Sequence, residues 1–487
     1  MPQRVLVYLA ALALLAPAPF AQSHTHHGGN VSGGAGGSVK DSVKDGASDA
    51  DLADAVTLRG VRAHMAALQQ VADDHGGNRA AGSPGYAASV RYVERTLRAA
   101  GYAVRRQPFS VTVTDTLAQT GRVVGGETLT PLIMDGSPNT AAGDPPQAPL
   151  SVPAAPLGCD AADFAGTRGT VVLVERGVCT FATKARHAAR AGAVAVLVYN
   201  EAGAPADDLF NGSLDDGGAA ATVPTAALTR AEGEGLREQL ERGAVRVTLE
   251  LRSVTKTLRT ANVIAETPAT TGKMGGEMGE EATQKVVMLG AHLDSVPAGP
   301  GVNDNGSGSA LVLELALQLA QTGAGGVRFA FWGAEELGLL GSSHYVGALS
   351  PAELREIRAY LNFDMLSSPN AAPFAYGNPA LTALFTTAFA AQDLILLPDT
   401  LGGRSDHAPF EAAGVPVAGL FSGAEGSKTL AETRSYGGTV VVPYDACYHR
   451  ACDTLAHTDT PTARRYLDLM ADAAADAVAA LLAEVGR

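Results

Sequence analysis

Short apolar runs in the C-terminal half of the chain are each followed by polar side chains. Residues 287–289 and 327–332 are runs of the kind that form buried strands. Residues 310–320, between them, carry Leu, Val and Ala at positions that suit a helix packed on a sheet. Residues 359–365 form a third strand-like run that contains an acid near its end. The pattern predicts an α/β fold with polar side chains grouped at the ends of its strands.

Helical and strand periodicity predicts further elements on both sides of this region. Strands are predicted over residues 102–104, 109–117 and 260–266, of which the last belongs to the main sheet. Residues 267–284 are rich in Gly, Met, Glu and Thr and are predicted to be an exposed hairpin loop. The predicted helices are residues 57–71, 83–97, 379–392 and 461–485.

A separate unit is indicated in the middle of the chain. At about residue 130 the composition shifts towards Pro and small residues. The following segment, up to about residue 250, has its own pattern of strand 170–174, helix 184–191 and strand 195–199. We therefore expect an inserted domain.

The N-terminal residues resemble a secretory signal. Arg4 supplies a positive charge, residues 5–15 are apolar, and residues 16–21 are mostly small. The apolar run is shorter than the ~20 residues of a membrane-spanning helix. Residues 22–51 are largely Gly, Ser, Asp and Lys without an aromatic side chain, which predicts a disordered tail or pro-segment. We expect a protein that is secreted, extracellular or periplasmic, without a stable membrane anchor.

Composition and cysteine count narrow the alternatives. The chain has 487 residues, enough for two or three domains, and its net charge of −14 argues against a nucleic-acid-binding surface. Four cysteines in an exported chain favour disulfides. Cys159 with Cys179 and Cys447 with Cys452 is the simplest of three possible connectivities, and the spacings do not fit a zinc site of four thiolates.

The candidate chemistry lies at the ends of the predicted strands. An Asp in a glycine-rich loop is, taken alone, more often a turn or N-cap residue than a ligand. Side chains at the carboxyl ends of strands in an open sheet converge on one crevice, however, so several metal-binding residue types together indicate a site. The strand-end candidates are His292, Asp294, Asp304, Glu335, Glu336 and Asp364.

Six motifs, in order, resemble one family. They are HLDSV, NDNGSGS, WGAEELGLLGS, LNFDM, GRSDHAPF and CYHRACDT, and they are similar to those of the M28 di-zinc aminopeptidases, particularly the secreted bacterial members. The segment from GCDAADFAG to VAVLVYN resembles a protease-associated (PA) domain. The resemblance implies a mixed sheet sandwiched by helices. It divides the chain into a signal peptide (1–21), a tail (22–51), a zinc-peptidase domain (52–135 and 256–487) and a PA insert (136–255).

The resemblance also implies roles for individual residues. Glu335 is similar to the general base, Tyr448 suits a hydrogen-bond donor to the developing oxyanion, and Asp294 suits a partner that orients His292. The five implied ligands of two zinc ions are His292 and Asp364 for one ion, Glu336 and His449 for the other, and Asp304 as the bridge.

Substrate and cofactors follow from the same resemblance. The implied substrates are peptide or protein N-termini, with a preference for apolar residues such as Leu and a pocket drawn partly from residues 419–423. Some relatives bind calcium through acids near the C-terminus, but here Arg464 stands at one of the expected positions while Asp468 is retained. Calcium is therefore a doubtful second cofactor. The oligomeric state is open, with a monomer as the expectation.

Other functions remain as alternatives. A carboxypeptidase or dipeptidase on the same scaffold would need a basic residue for the substrate carboxylate. A glutaminyl cyclase would use one zinc, and a binding protein on this fold would usually have lost ligands. A serine hydrolase built on Ser405, Asp406 and His407 is excluded, because three consecutive residues cannot form the hydrogen-bonded triad.

Overall fold

The computed structural model describes residues 50–141, 147–267, 285–399 and 401–485. The predicted signal peptide, nearly all of the predicted tail and most of the predicted loop 267–284 lie outside these residues. Among the described residues, no helix is both long and apolar enough to cross a membrane.

The described strands form one continuous hydrogen-bonded set. They are β1 (Ala103–Val123), β2 (Thr128–Leu129), β3 (Leu132–Ile133), β4 (Gln147–Ser151), β5 (Val171–Glu175), β6 (Ala195–Tyr199), β7 (Thr225–Leu228), β8 (Arg246–Glu266), β9 (Val286–His292), β10 (Val327–Trp332), β11 (Ile357–Phe363), β12 (Phe374–Gly377), β13 (Leu397–Pro398) and β14 (Val417–Phe421).

The helices lie mostly between these strands. They are α1 (Ala50–Ala55), α2 (Leu58–Asp74), α3 (Pro84–Ala99), α4 (Phe181–Ala191), α5 (Arg230–Arg242), α6 (Gly306–Thr322), α7 (Leu340–Ala348), α8 (Pro351–Glu356), α9 (Pro379–Thr382), α10 (Thr386–Ala390), α11 (His407–Ala412), α12 (Leu430–Tyr436) and α13 (Pro461–Val485), with 3-10 turns at Ala161–Phe164, Ala383–Phe385 and Leu401–Gly403.

Four parallel strands form the centre of the main sheet, in the order β10, β9, β11 and β14. Antiparallel β8 and β12 flank them. Val287, Leu289 and Ala291 of β9 belong to one buried cluster, whereas Met288 belongs to another with Trp332. Since alternate residues of a strand face opposite sides, both faces of the sheet are covered. The predicted mixed sheet between helices is confirmed.

A long antiparallel ladder joins the main sheet to a second one. Strands β1 and β8 pair from Ala103 with Glu266 to Val123 with Val247. Near its N-terminal end β8 also pairs with β4. The sheet then continues through neighbouring strands in the order β5, β6, β7 and β3. This second sheet has its own buried residues, separate from those of the main sheet.

Three differences from the predicted elements have an identifiable local cause. The strands predicted at 102–104 and 109–117 are one strand, because Pro108 lies where β1 is an edge and needs no hydrogen bond on its outer side. The strand predicted over residues 287–289 continues to His292. A Cβ at position 290 would lie 2.4 Å from Tyr360 Oη, so the glycine there lets the strand pass this side chain.

The third difference is the helix predicted over residues 379–392. It is divided into α9, a 3-10 turn and α10. The Thr382 and Thr386 hydroxyls donate to the carbonyls of Pro379 and Ala383, three residues earlier, at 3.2 and 2.7 Å. Such local bonds compete with regular helical hydrogen bonding, which explains the interruption.

Candidate active site

The ends of three parallel strands bring the predicted ligands to one edge of the sheet. His292 is the last residue of β9, Asp364 follows β11 directly, and Glu335 and Glu336 follow β10 after a short turn. Asp304 precedes α6, whose N-cap Asn305 accepts a hydrogen bond from Gly308 N at 2.9 Å. A Cβ at Gly308 would lie 2.1 Å from the Phe363 carbonyl oxygen, so glycine allows α6 to begin against the end of β11.

The first group of candidate ligands surrounds the His292 imidazole. Its Nε2 lies 3.1 Å from Asp304 Oδ1, 3.3 Å from Asp364 Oδ1 and 4.0 Å from Glu335 Oε2. Its Nδ1 lies 3.1 Å from the Asp294 carbonyl oxygen. Because a carbonyl only accepts, Nδ1 carries a proton, which leaves Nε2 as the ring atom that would bind a cation.

The second group surrounds the His449 imidazole. Its Nε2 lies 3.0 Å from Glu336 Oε2 and 3.2 Å from Asp304 Oδ2. The two oxygens of Asp304 therefore face two different histidines. The Asp304 carboxylate thus lies between the two groups of candidate ligands.

The residues present fit divalent metal ions. Among the described residues, Glu336 Oε1 and Asp364 Oδ1 are buried without a hydrogen-bond partner, although buried carboxylate oxygens normally have one. Burial, followed by the neighbouring Asp304, raises the pKa of Glu336 to about 7. Burial lowers the pKa of His292, but Asp364 and the other carboxylates raise it by more, so it lies well above its ordinary value. Cations held between these groups would offset this crowding of negative charge.

Asp294 contacts the His292 ring through its backbone. Its carbonyl oxygen lies 3.1 Å from Nδ1, whereas the carboxylate Oδ1 is 3.9 Å away. The Oδ1 atom accepts a hydrogen bond from Glu335 N at 3.2 Å. Asp294 thus connects the ends of β9 and β10 and positions the backbone of Glu335.

Tyr448 and His449 lie on a short loop closed by the disulfide between Cys447 and Cys452. The two rings stack with centroids 3.8 Å apart, and His449 has a φ of +57°, which non-glycine residues rarely adopt. Ala334 before Glu335 and Met365 after Asp364 also have positive φ. Such backbone outliers cluster at functional sites. The other predicted disulfide, Cys159 with Cys179, is also present.

Two residues support the candidate ligands in a way that was not predicted from the sequence. The buried Asp453 carboxylate accepts hydrogen bonds from Asn303 N at 2.8 Å and Asp304 N at 3.0 Å, and so fixes the backbone of the candidate bridge. Ser405 donates to Asp364 Oδ2 at 2.6 Å. Both residues lie within quoted motifs, CYHRACDT and GRSDHAPF, which was the available signal.

A cavity of about 830 Å³ opens onto these groups. Its wall includes the candidate ligands, Glu335, Tyr448 and Arg404. The apolar part of the wall consists of Leu339, Met365, Phe374, Leu401, Phe421 and Tyr444. Residues Gly423 and Phe421, within the predicted pocket segment 419–423, also line it.

The three residues of the serine-hydrolase alternative each contact a different group. Ser405 contacts Asp364, Asp406 accepts a hydrogen bond from Ser342, and the His407 ring packs against Tyr376 at 4.6 Å. These three consecutive residues have separate partners and form no serine-hydrolase triad. Arg464 is paired with Asp459, and the expectation about calcium is untested.

Comparison with known proteins connects this geometry to a family. The sequence pattern of peptidase family M28 matches residues 262–474, and that of the PA domain matches residues 146–236. A probable lipoprotein aminopeptidase of Mycobacterium tuberculosis, LpqL, is 38% identical over 436 residues, which cover 84% of this chain and 82% of that protein. The chain belongs to peptidase family M28.

Two solved structures resemble this M28 peptidase along most of its length. An aminopeptidase from Aneurinibacillus sp. strain AM-1 is 29% identical, with a TM-score of 0.65 and coverage of 88% of this chain and 95% of that one. A zinc aminopeptidase from Bacillus subtilis is 26% identical, with a TM-score of 0.55 and coverage of 87% and 94%. The M28 peptidase described here is a zinc-dependent aminopeptidase with an inserted PA domain. The family expected from the six motifs is confirmed.

Proposed function

We propose that this M28 peptidase is a secreted enzyme that binds two zinc ions and removes apolar N-terminal residues, such as leucine, from peptides. The observation that carries the proposal is the position of Asp304 between two histidines, 3.1 Å from one imidazole and 3.2 Å from the other. His292 and Asp364 would hold one ion with Asp304 Oδ1. Glu336 and His449 would hold the second with Asp304 Oδ2.

The chain's own residues have separate tasks in peptide hydrolysis. Zinc bound here supplies a Lewis acid that makes water available as a nucleophile near neutral pH. Glu335, next to a ligand but directed at the first group, is the proposed general base that takes the proton of the attacking water and delivers it to the leaving amine. Tyr448 is the proposed donor to the oxyanion, and Asp294 holds His292 and Glu335 in place.

Recognition of the substrate follows from the cavity wall. A free α-amine carries a positive charge at neutral pH and would be attracted by Glu335 and Asp364, both of which line the cavity. An apolar first side chain would contact Phe374, Phe421 and Met365, which lie in the same wall. These features support an aminopeptidase with a preference for leucine-like residues.

Export and domain boundaries complete the proposal. Two disulfides are typical of proteins that mature in oxidising compartments, which supports secretion after removal of residues 1–21. We also propose residues 136–255 as the PA insert. The ladder of β1 and β8 leads into this segment and out of it, with β8 ending in the main sheet.

The test is a pair of peptides, Leu-Ala-Ala-Phe with a free amine and the same peptide N-acetylated, with products followed by mass spectrometry. We expect release of leucine from the free peptide and no cleavage of the acetylated one, since acetylation removes the positive charge that the carboxylates attract. Release of phenylalanine from both peptides would instead establish the carboxypeptidase alternative.

A further inference from the structure

The cavity is strongly acidic and has one permanent cation in its described wall. Six carboxylates line it, namely Asp304, Glu335, Glu336, Asp364, Asp399 and Glu425. Among the described lining residues Arg404 is the only Lys or Arg. If a substrate brings a carboxylate into this cavity, Arg404 is the described lining side chain whose fixed positive charge can bind it.

Arg404 lies next to the proposed oxyanion donor. Its Nη2 is 3.4 Å from Tyr448 Oη, and Tyr448 stacks on the candidate ligand His449. The guanidinium is therefore one contact away from the position where the scissile carbonyl would lie. It is also half exposed, with 57% of its side chain accessible, so an incoming group can reach it.

The present partner of Arg404 is exchangeable. Its Nη2 lies 2.8 Å from Glu425 Oε1, and the Glu425 side chain is 55% accessible. Ion pairs at such exposed positions contribute little to stability, so a carboxylate from a substrate can replace Glu425. The planar guanidinium fork also matches a carboxylate through two parallel hydrogen bonds.

We propose that Arg404 binds the α-carboxylate of a dipeptide, so that short peptides with a free C-terminus form a preferred substrate class of this enzyme. The proposal rests on the proposed aminopeptidase function and deepens it. In a dipeptide the carboxylate lies one residue beyond the scissile carbonyl, a reach of about 3.5 Å in an extended chain. Arg404, whose Nη2 is 3.4 Å from Tyr448 Oη, therefore lies within reach of a carboxylate one residue beyond the carbonyl that Tyr448 would contact. Each further residue moves the carboxylate away by about the same length.

The experiment compares Leu-Gly with Leu-Gly amide, which differ only in the C-terminal charge. The zinc-loaded wild-type enzyme is measured together with Arg404→Gln, and kcat/KM is obtained for both substrates. For the wild type we expect the free acid to be favoured roughly tenfold, as for a charge-assisted pair worth about one decade in affinity. In Arg404→Gln the ratio should fall to near one. Any general loss through Tyr448 affects both substrates and cancels in the ratio.

Arg358→Gln is the matched control. Arg358 forms a comparably exposed ion pair with Glu484, at 3.1 Å, and does not line the cavity. Its acid-to-amide ratio should equal that of the wild type. The wild type alone gives a second test, because its kcat/KM for Leu-Gly should also be higher than that for Leu-Gly-Gly-Gly.

The outcomes separate this proposal from the one on which it rests. Wild-type cleavage of the amide, with no preference for the acid, would overturn the role of Arg404 and leave the aminopeptidase function standing. A preference that persists in Arg404→Gln would have the same meaning. Failure of the wild type to release leucine from any of these peptides would overturn both.

Discussion

At the scale of the residue, the proposed mechanism requires Glu335 to act as a base and not as a metal ligand. Its Oε2 is 4.0 Å from His292 Nε2, whereas the nearest carboxylate oxygens, on Asp304 and Asp364, are at 3.1 and 3.3 Å. Glu335→Gln keeps the size of the side chain and removes its basicity. We expect kcat to fall by roughly 10²–10⁴ with the zinc content unchanged, as measured by steady-state kinetics and elemental analysis on one preparation. Near-normal kcat would refute the base, and loss of zinc would make Glu335 a ligand.

The sequence was sufficient to name the candidate site residues but not to predict the contacts that they make. The proposed ligands could be named because the six motifs resemble, in order, those of the M28 family. The spacing of Asp294 two residues after His292 did not reveal that its carbonyl, and not its carboxylate, contacts the ring. Asp453 was missed as a support because its partners, Asn303 and Asp304, lie about 150 positions earlier in the chain. Hydrogen bonds between distant segments follow from the fold and are not visible in local patterns.

At the scale of the element, periodicity predicted most strands and helices but not their interruptions. The strands 327–332 and 195–199 and the helix 461–485 have the predicted bounds. The predicted helix 379–392 is divided because Thr382 and Thr386 bond to the backbone, and β1 runs through Pro108 because it is an edge strand there. The interruption of the helix depends on competing local hydrogen bonds, and the continuity of β1 depends on the position of the strand in the sheet.

The loop closed by Cys447 and Cys452 gives a prediction at this scale. We expect Cys447→Ser with Cys452→Ser to weaken zinc binding by roughly tenfold or more, because the loop that holds His449 at positive φ is released. The matched control is Cys159→Ser with Cys179→Ser, which removes the disulfide of the second sheet. Cys159 and Cys179 are 20 positions apart in the sequence, whereas Cys447 and Cys452 are 5 positions apart. Because the longer closed loop restricts the unfolded chain more, loss of the first disulfide should lower the free energy of unfolding by about 3 kcal/mol and loss of the second by about 2 kcal/mol.

Two measurements compare the double variants. Competition with a chelator gives the zinc affinity, and denaturant titration gives the free energy of unfolding. The pair at Cys447 and Cys452 should have the larger effect on zinc, and the pair at Cys159 and Cys179 the larger effect on stability. A larger effect of the Cys159 and Cys179 pair on zinc affinity would show that the disulfide of Cys447 and Cys452 does not position His449.

At the scale of the whole molecule, the sequence predicted an insert in an α/β peptidase but not how the two are connected. The composition shift near residue 130 marked the insert, whereas the 21-residue strands β1 and β8 that carry the chain to it were predicted only in parts. Those strands pair with each other over nearly their whole length, and such long-range pairing has no signal in either strand alone. The convergence of strand ends, by contrast, follows from the parallel order of the central strands, and the sequence was sufficient to predict it.

Zinc content per folded chain tests the proposal that five side chains hold two zinc ions around Asp304. The measurement is elemental analysis after dialysis against low zinc, on the wild type, His292→Ala and His449→Ala. We expect two zinc ions in the active wild type and one in each variant, since each histidine belongs to a different group. Fewer than two ions in fully active wild type, or two retained in both variants, would contradict it.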